Sequence, residues 1–219
     1  MVTEIPMWLK GMLDQEGLKR IEQAVKSAET NTSGEIVPLI VRGSSTIGHV
    51  PPLCFCIISI FFLVSGGHLY QLENWPGGSL WWLADLVFIS LVAIVLSRSD
   101  IVKRQLTSSE DLESQVFSRA EIEFFEAKIG ETQNATGVLI FLSLMEHRVV
   151  VLADEAIASR LDPSVWQEVV VLLLEGVKKG DLSAGFESAI NECSKLLQDD
   201  FPVSDHDKNE LKDHLIIKD

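Results

Sequence analysis

Positive charge is scarce in this chain of 219 residues: 18 Lys and Arg stand against 32 Asp and Glu, a formal net charge of −14. Nucleic acids are bound through clustered Lys and Arg, so the shortage argues against a nucleic-acid partner. Cysteine is rarer still, with Cys54, Cys56 and Cys193. Three thiols without metal-ligand spacing make neither a disulfide framework nor a zinc site. Cys54 and Cys56, two residues apart, face different directions on a helix, and all three read as small apolar residues. The sequence has no G-x-x-x-x-G-K-[ST], G-x-G-x-x-G, H-E-x-x-H or G-x-S-x-G, which removes the commonest phosphate-loop, dinucleotide, zinc-protease and serine-hydrolase readings. The five histidines are scattered, and His147 falls in a turn. The first 30 residues contain no apolar core of a Sec-type signal peptide.

Apolar sequence, in contrast, is concentrated. The mean hydropathy is +0.22 despite the acidity. Between Arg42 and Glu73 lie 30 uncharged residues, dense in Leu, Ile, Phe, Val and Cys from Val50 to Tyr70. A second run, Gly77 to Leu96, holds one charge, Asp85. Each is about 20 residues long, which at about 1.5 Å per residue matches a ~30 Å hydrocarbon core. The pattern predicts two transmembrane helices over residues 50–96. The link Gln71–Pro76 is short enough to force an antiparallel hairpin, and Tyr70, Trp75, Trp81 and Trp82 gather there, as aromatic rings do at the headgroup layer. Pro51 and Pro52 fall in the first helical turn, where backbone donors are not needed.

Lys and Arg are absent from the turn, whereas Arg42, Arg98, Lys103 and Arg104 flank the spans. The positive-inside rule therefore places both termini in the cytoplasm and the turn outside. On that side the sequons at Asn31 and Asn134 carry no glycan. Asp85, an intramembrane carboxylate, raises an ion-pathway reading, but it lies one helical turn from Trp81 and is expected to reach the interface. The stretch Ile5–Leu9 is too short to span and either lies on the membrane surface or packs.

Around the hairpin, helical and strand patterns alternate. Asp14 can cap a helix with apolar Leu18, Ile21, Ala24, Val25 and Ala28, stopped by Asn31 and Gly34. Glu35–Val41 reads as a strand in which Pro38 belongs at an edge or bulge. Ser108–Asp111 opens a helix with Leu112, Val116, Ala120, Phe124 and Ile129 on one face. Gly137–Ser143 and Arg148–Ala153 read as an antiparallel hairpin about Met145-Glu146-His147. Asp162-Pro163 begins a helix ending at Gly180, and Asp181 caps another carrying Leu182, Phe186, Ile190, Cys193 and Leu197. The acidic tail from Asp199, broken by Pro202, is expected to be exposed. The domain organisation follows: 1–49, first helix and strand; 50–96, membrane hairpin; 97–201, the rest of the α/β domain; 202–219, acidic tail.

The runs Thr32-Ser33-Gly34-Glu35-Ile36-Val37-Pro38, Thr136-Gly137-Val138-Leu139-Ile140-Phe141 and Arg148-Val149-Val150-Val151-Leu152-Ala153-Asp154, followed by Trp166, Gly180-Asp181, Gly185 and Ala189-Ile190, together resemble the TPM domain family. The resemblance covers roughly 15–42 and 108–201. With the inserted hairpin the chain looks like the family's bacterial integral-membrane branch. The resemblance implies an α/β/α three-layer sandwich with a small mixed sheet, here interrupted by the hairpin, and a bacterial inner-membrane location. It also implies the family's associations: an acid phosphatase activity and photosystem repair in plant members, calcium binding in some, channel modulation by a nematode relative, and bacterial neighbours of LemA type. Where the family often has glycines after Asp154, this chain has Glu155-Ala156-Ile157.

Candidate ligands are carboxylates at element ends. Asp154 follows a strand, Glu35 opens another, and Asp162 and Asp181 precede helices. Open α/β sheets bind ligands at the carboxyl ends of strands. Converging carboxylates suit Ca²⁺ or Mg²⁺, which can polarise a phosphate ester and activate water. Asp154, Glu35 and Asp181 are accordingly the candidate metal ligands, with Asp154 first because its strand fixes it while its loop exposes it. Asp162 and Asp181 are equally explained as helix caps. No nucleophile–base pair is visible, so no catalytic residue is assigned. The leading expectation is a membrane-anchored, cytoplasm-facing interaction or assembly module, with the lipid bilayer and other membrane proteins as partners and self-association left open. A divalent-metal-assisted phosphatase is the alternative. A subunit of an ion-conducting assembly is a third reading, which unchanged flux in Asp85→Asn would end.

Overall fold

The computed structural model describes residues 5–45, 48–66, 69, 78–132, 134–203 and 209–219, with the side chains of 78–80 excepted. A 3-10 turn, Met7–Leu9, precedes helix α1 (Gln15–Glu29) and strand β1 (Glu35–Val41). Helices α2 (Val50–Val64), α3 (Gly78–Ser97), α4 (Asp100–Leu106) and α5 (Ser109–Glu126) follow. After a 3-10 turn at Ile129–Glu131 come strands β2 (Gly137–Ser143) and β3 (Arg148–Ala153) and the short α6 (Glu155–Ala158). A 3-10 turn at Pro163–Trp166 leads into α7 (Gln167–Lys179), then α8 (Leu182–Gln198) and strand β4 (Ile216–Lys218). The chain divides into two units, Met1–Ser44 with Glu113–Asp219, and Ser45–Leu112.

The first unit is built on a mixed sheet in the order β3-β2-β1-β4. β1 and β2 run parallel with Glu35 opposite Gly137, β3 is antiparallel to β2, and β4 is parallel to β1. The side chains of β1 and β2 alternate between two apolar layers, and both strands are buried throughout, as strands covered on both faces must be. Ile36, Ile40, Val138, Ile140 and Leu142 meet α1, α7 and α8 through Ile21, Val25, Leu173, Phe186 and Ile190. Val37, Leu39, Val41, Leu139 and Phe141 meet α5 through Val116, Ala120 and Phe124. The fold is thus mixed α/β with helices on both faces of a small mixed sheet, in line with the expectation.

Local signals explain the helices. The Asp14 carboxylate accepts the Gly17 N–H at 2.7 Å and caps α1, a contact worth about 1 kcal/mol. α7 stops at Gly180, whose φ of +74° suits glycine. α7 and α8 then cross so closely that a Cβ on Gly176 would stand 2.4 Å from Gly185 Cα.

Two expectations need correction here. The segment beyond Asp199 is not an exposed tail. The Phe201 carbonyl accepts from Thr32 Oγ1 (2.8 Å) and Ser33 N–H (2.9 Å). Leu215 is buried, Leu211 and Ile216 pack under α5, and β4 joins the sheet. A three-residue strand among acidic residues carries too little periodicity to be read locally. For the same reason β1 is not an edge strand. β4 pairs only with Leu39–Val41, so Pro38, which lacks an N–H, falls just before the stretch that β4 covers.

In the second unit the start of α2 packs against the end of α3 and against α4. Val50, Cys54 and Ala93 are buried, with Phe55, Ile58, Val102 and Leu106 around them. The contact fixes an antiparallel pair. Cys54 is buried and Cys56 exposed, so the two thiols do face apart. Beyond this seam the surface of α2 and α3 is largely apolar: Ile57, Ile60, Phe61 and Val64 on α2, and Leu83, Val87, Phe88, Leu91 and Val95 on α3, are all exposed.

Among the described residues no helix is long and apolar enough to cross a membrane. α2 has 15 residues, about 22 Å at 1.5 Å each, short of a ~30 Å core. α2 ends at Val64, where Ser65 and Gly66 (φ +74°) follow, and residues 67, 68 and 70 of the expected first span lie outside the described residues. The expected turn at Gln71–Pro76, with Tyr70 and Trp75, lies outside the described residues. Asp85 is half-buried, one helical turn beyond Trp81 on α3.

Candidate functional site

The sheet decides which carboxylates can meet. β1 and β2 begin side by side, and β3, running antiparallel, ends next to them. The Asp154 N–H donates to the Gly137 carbonyl at 2.9 Å, and Glu35 lies opposite Gly137 on the other side. Glu35 and Asp154 thus flank the start of β2. This is the amino end of the parallel pair, not the carboxyl end at which open α/β sheets collect ligands. The premise that made Asp154 a strand-end ligand fails because its strand runs the opposite way.

Each expected ligand has a local task. Asp154 Oδ1 accepts the Glu155 N–H at 2.7 Å and caps α6. Its carboxylate lies against Gly130, where an added Cβ would come within 3.7 Å of Oδ1. Asp154 Oδ2 is buried and accepts no hydrogen bond among the described residues. Next to it, Gly137 has no room for a side chain: a Cβ would meet the Ile129 carbonyl oxygen at 2.3 Å. That close approach lays the 129–131 turn over the start of β2.

Glu35 is 7% exposed and accepts the N–H groups of Glu210 (3.1 Å) and Leu211 (3.3 Å). It is therefore a clamp for the C-terminal segment, helped by Glu29, which accepts from Asn209 Nδ2 at 3.2 Å. Asp181 caps α8, accepting from the Ala184 N–H (3.0 Å) and Ser183 Oγ (2.7 Å). The Ala184 N–H first, then the Ser183 hydroxyl, hold its carboxyl below the ordinary value. Asp181 lines a cavity of about 540 Å³ with Asp14, Glu16, Arg20 and Ser183. Arg20 there is committed to Glu187 at 2.6 Å. Asp162 likewise caps, accepting the Ser164 N–H at 2.8 Å. Among the described residues no three His, Cys, Asp or Glu side chains gather as a metal-ligand group.

Two polar clusters escape sequence reading. At the carboxyl ends of β1 and β2, Ser143 is fully buried and Glu146 nearly so. Ser143 Oγ donates to Glu146 Oε2 at 2.5 Å, the Ser44 N–H donates to Oε1 at 2.9 Å, and the two serine hydroxyls lie 2.8 Å apart. A buried carboxylate thus orients two hydroxyls and fixes the chain as it leaves β1. The single hint in the sequence is a serine ending an apolar strand, and its partner lies 99 residues away. The second cluster centres on Glu123, whose side chain is 1% exposed and bridges Arg119 (2.8 Å) and Lys218 (2.5 Å). Burial pulls the Lys218 ammonium down, but bonds to Glu123 and Glu126 leave it above its ordinary value. This pairing anchors β4 to α5.

Residues 92–196 match the TPM domain. The match includes β2, β3, α7 and most of α8, and leaves out α1 and β1, which the resemblance had included. Among solved structures, the NMR structure of the BA42 protein from the psychrophilic bacterium Bizionia argentinensis is similar, with a TM-score of 0.59 and 19% identity over 94% of this chain and 95% of that one. At that identity the likeness is one of fold. No curated protein matches.

Proposed function

We propose, from the premise that this chain is a TPM-domain protein, that it is held in a bacterial inner membrane by the α2–α3 hairpin and presents its α/β unit to the cytoplasm as an interaction or assembly module for other membrane proteins. The observation that carries this reading is the second unit itself. Among the described residues its two antiparallel helices bury a thin seam of Val50, Cys54, Ile89 and Ala93. They leave Phe61, Val64, Leu83, Val87, Phe88, Leu91 and Val95 exposed, far more apolar surface than a water-exposed hairpin sustains. Lipid is the cover that such a surface fits. Only Asp85 interrupts the 20 residues of α3, and charge at the flanks supports a cytoplasmic side for both ends.

The acidic chain suits basic segments of neighbouring proteins, including LemA-type membrane proteins, and disfavours anionic headgroups. Fractionation tests the reading: the full chain is expected to stay in the membrane pellet through alkaline carbonate. Crosslinks to membrane neighbours should weaken as salt is raised through the screening range. Release of the chain by carbonate would defeat the anchor.

A second reading, metal-assisted phosphate-ester hydrolysis, is favoured by one observation, the buried and unmatched Asp154 Oδ2. A thermal scan with Ca²⁺, Mg²⁺, Mn²⁺ or EDTA tests it. A ligand at about 100 times its Kd adds ~2.7 kcal/mol, several degrees for a unit of this size, and Asp154→Asn should abolish the shift. No metal-specific shift would end this reading.

A further inference from the structure

β3 is an outer strand of the sheet. β1 and β2 are fully buried, but all six residues of β3, Arg-Val-Val-Val-Leu-Ala, are half-buried. Such a strand, apolar and with one charge, is a template for pairing unless something covers it. Its backbone direction is fixed. The Asp154 N–H points inward to Gly137, so by the alternation of an antiparallel ladder residues 148, 150 and 152 also turn inward, and Val149, Val151 and Ala153 turn their N–H and C=O outward.

We infer that the β3 edge pairs antiparallel with β3 of a second copy of this chain, about a two-fold axis through Val151. Outward residues must meet outward residues. A centre at Val151 sets Val149 opposite Ala153 of the second copy and Val151 opposite itself. Among the two-fold registers of this strand, that one alone sets Arg148 opposite Asp154, and symmetry repeats the pair at both ends. Arg148 already stands in an electropositive role, 3.4 Å from Glu113. Asp154, half-buried at the far end of the strand, supplies the opposite charge. The charges thus select both the partner and the register, and the joined sheet has eight strands. The pairing does not depend on the membrane reading.

The test uses the full chain with Cys54, Cys56 and Cys193 replaced by Ala. In the inferred register the Val151 Cα atoms lie about 5.5 Å apart, within the roughly 4.4–6.8 Å that a disulfide spans. Val151→Cys should therefore oxidise to a covalent dimer. Val149→Cys alone should not, whereas Val149→Cys mixed with Ala153→Cys should give the heterodimer. These variants leave Asp154 intact, so a cation there does not confuse the result. Arg148→Glu should weaken dimerisation by about tenfold or more, since two ion pairs become repulsive together, and adding Asp154→Arg should restore it. The inference is overturned if the chain is monomeric by light scattering at tens of micromolar, or if it dimerises while Val151→Cys stays uncrosslinked.

Discussion

Glu35→Gln is the sharpest probe of how the first unit is assembled. The Glu35 carboxylate is buried and holds two backbone N–H groups, from Glu210 at 3.1 Å and Leu211 at 3.3 Å. An amide keeps one acceptor and turns an NH₂ group toward the other donor. One partly buried N–H then goes unsatisfied, at about 1–3 kcal/mol, and the remaining bond loses its charge, at roughly 1 kcal/mol. Local opening of residues 209–219 should become easier by about 2–4 kcal/mol, which at about 1.4 kcal/mol per tenfold is roughly 30-fold to several-hundred-fold. Native-state hydrogen exchange reads this directly. Amides of 209–219 should exchange faster by that factor, while β2, buried in the centre of the sheet, keeps its protection. Unchanged exchange in 209–219 would refute the clamp. An equal loss of protection in β2 would show that Glu35 supports the whole unit and not this segment.

Two further outcomes follow from the helices. Gly176→Ala places a Cβ 2.4 Å from Gly185 Cα and 2.9 Å from the Asp181 carbonyl oxygen; backbone cannot yield there, so the clash should outweigh the ~1 kcal/mol of helix propensity gained and lower stability by about 1–3 kcal/mol net, and a raised melting temperature would contradict it. Asp181 has its folded pKa below the ordinary 3.8, so its stabilisation is present above 3.8 and lost as pH falls through the lower folded value; the stability difference between the protein and Asp181→Asn should shrink on acidification in thermal melts, and a difference constant with pH would contradict it.

Much of the fold is legible from local signals. Asp14, Asp181 and Gly180 mark helix ends where the structure has them, because capping is settled within one turn. β1, β2 and β3 are apolar runs bounded by Gly and turn residues, and their extents agree. What escaped is long-range. β4 is three residues whose pairing depends on Glu35 and Glu123, neither marked by any spacing. The site suffered most from the same blindness. Glu35 and Asp154 read as free strand-end carboxylates, yet each is engaged by backbone N–H groups, whereas Asp181 caps its helix as its position suggests. The antiparallel β2–β3 hairpin is legible, but the parallel pairing of β1 with β2, which makes the Asp154 end the amino end of the pair, is not. In the sequence Ser143 ends a strand and Glu146 falls in a turn, and nothing there links either to Ser44; the two parallel strands bring the three together.

The proposed placement sets the apolar hairpin in a membrane with both ends of the chain on the cytoplasmic side. Single cysteines in a cysteine-free background test it most directly, read with a membrane-impermeant maleimide on intact cells. Trp75→Cys, between the two apolar helices, should label from outside, and Glu210→Cys should label only after the membrane is opened. Labelling of position 210 in intact cells, or of neither position until the membrane is opened, would contradict the claim.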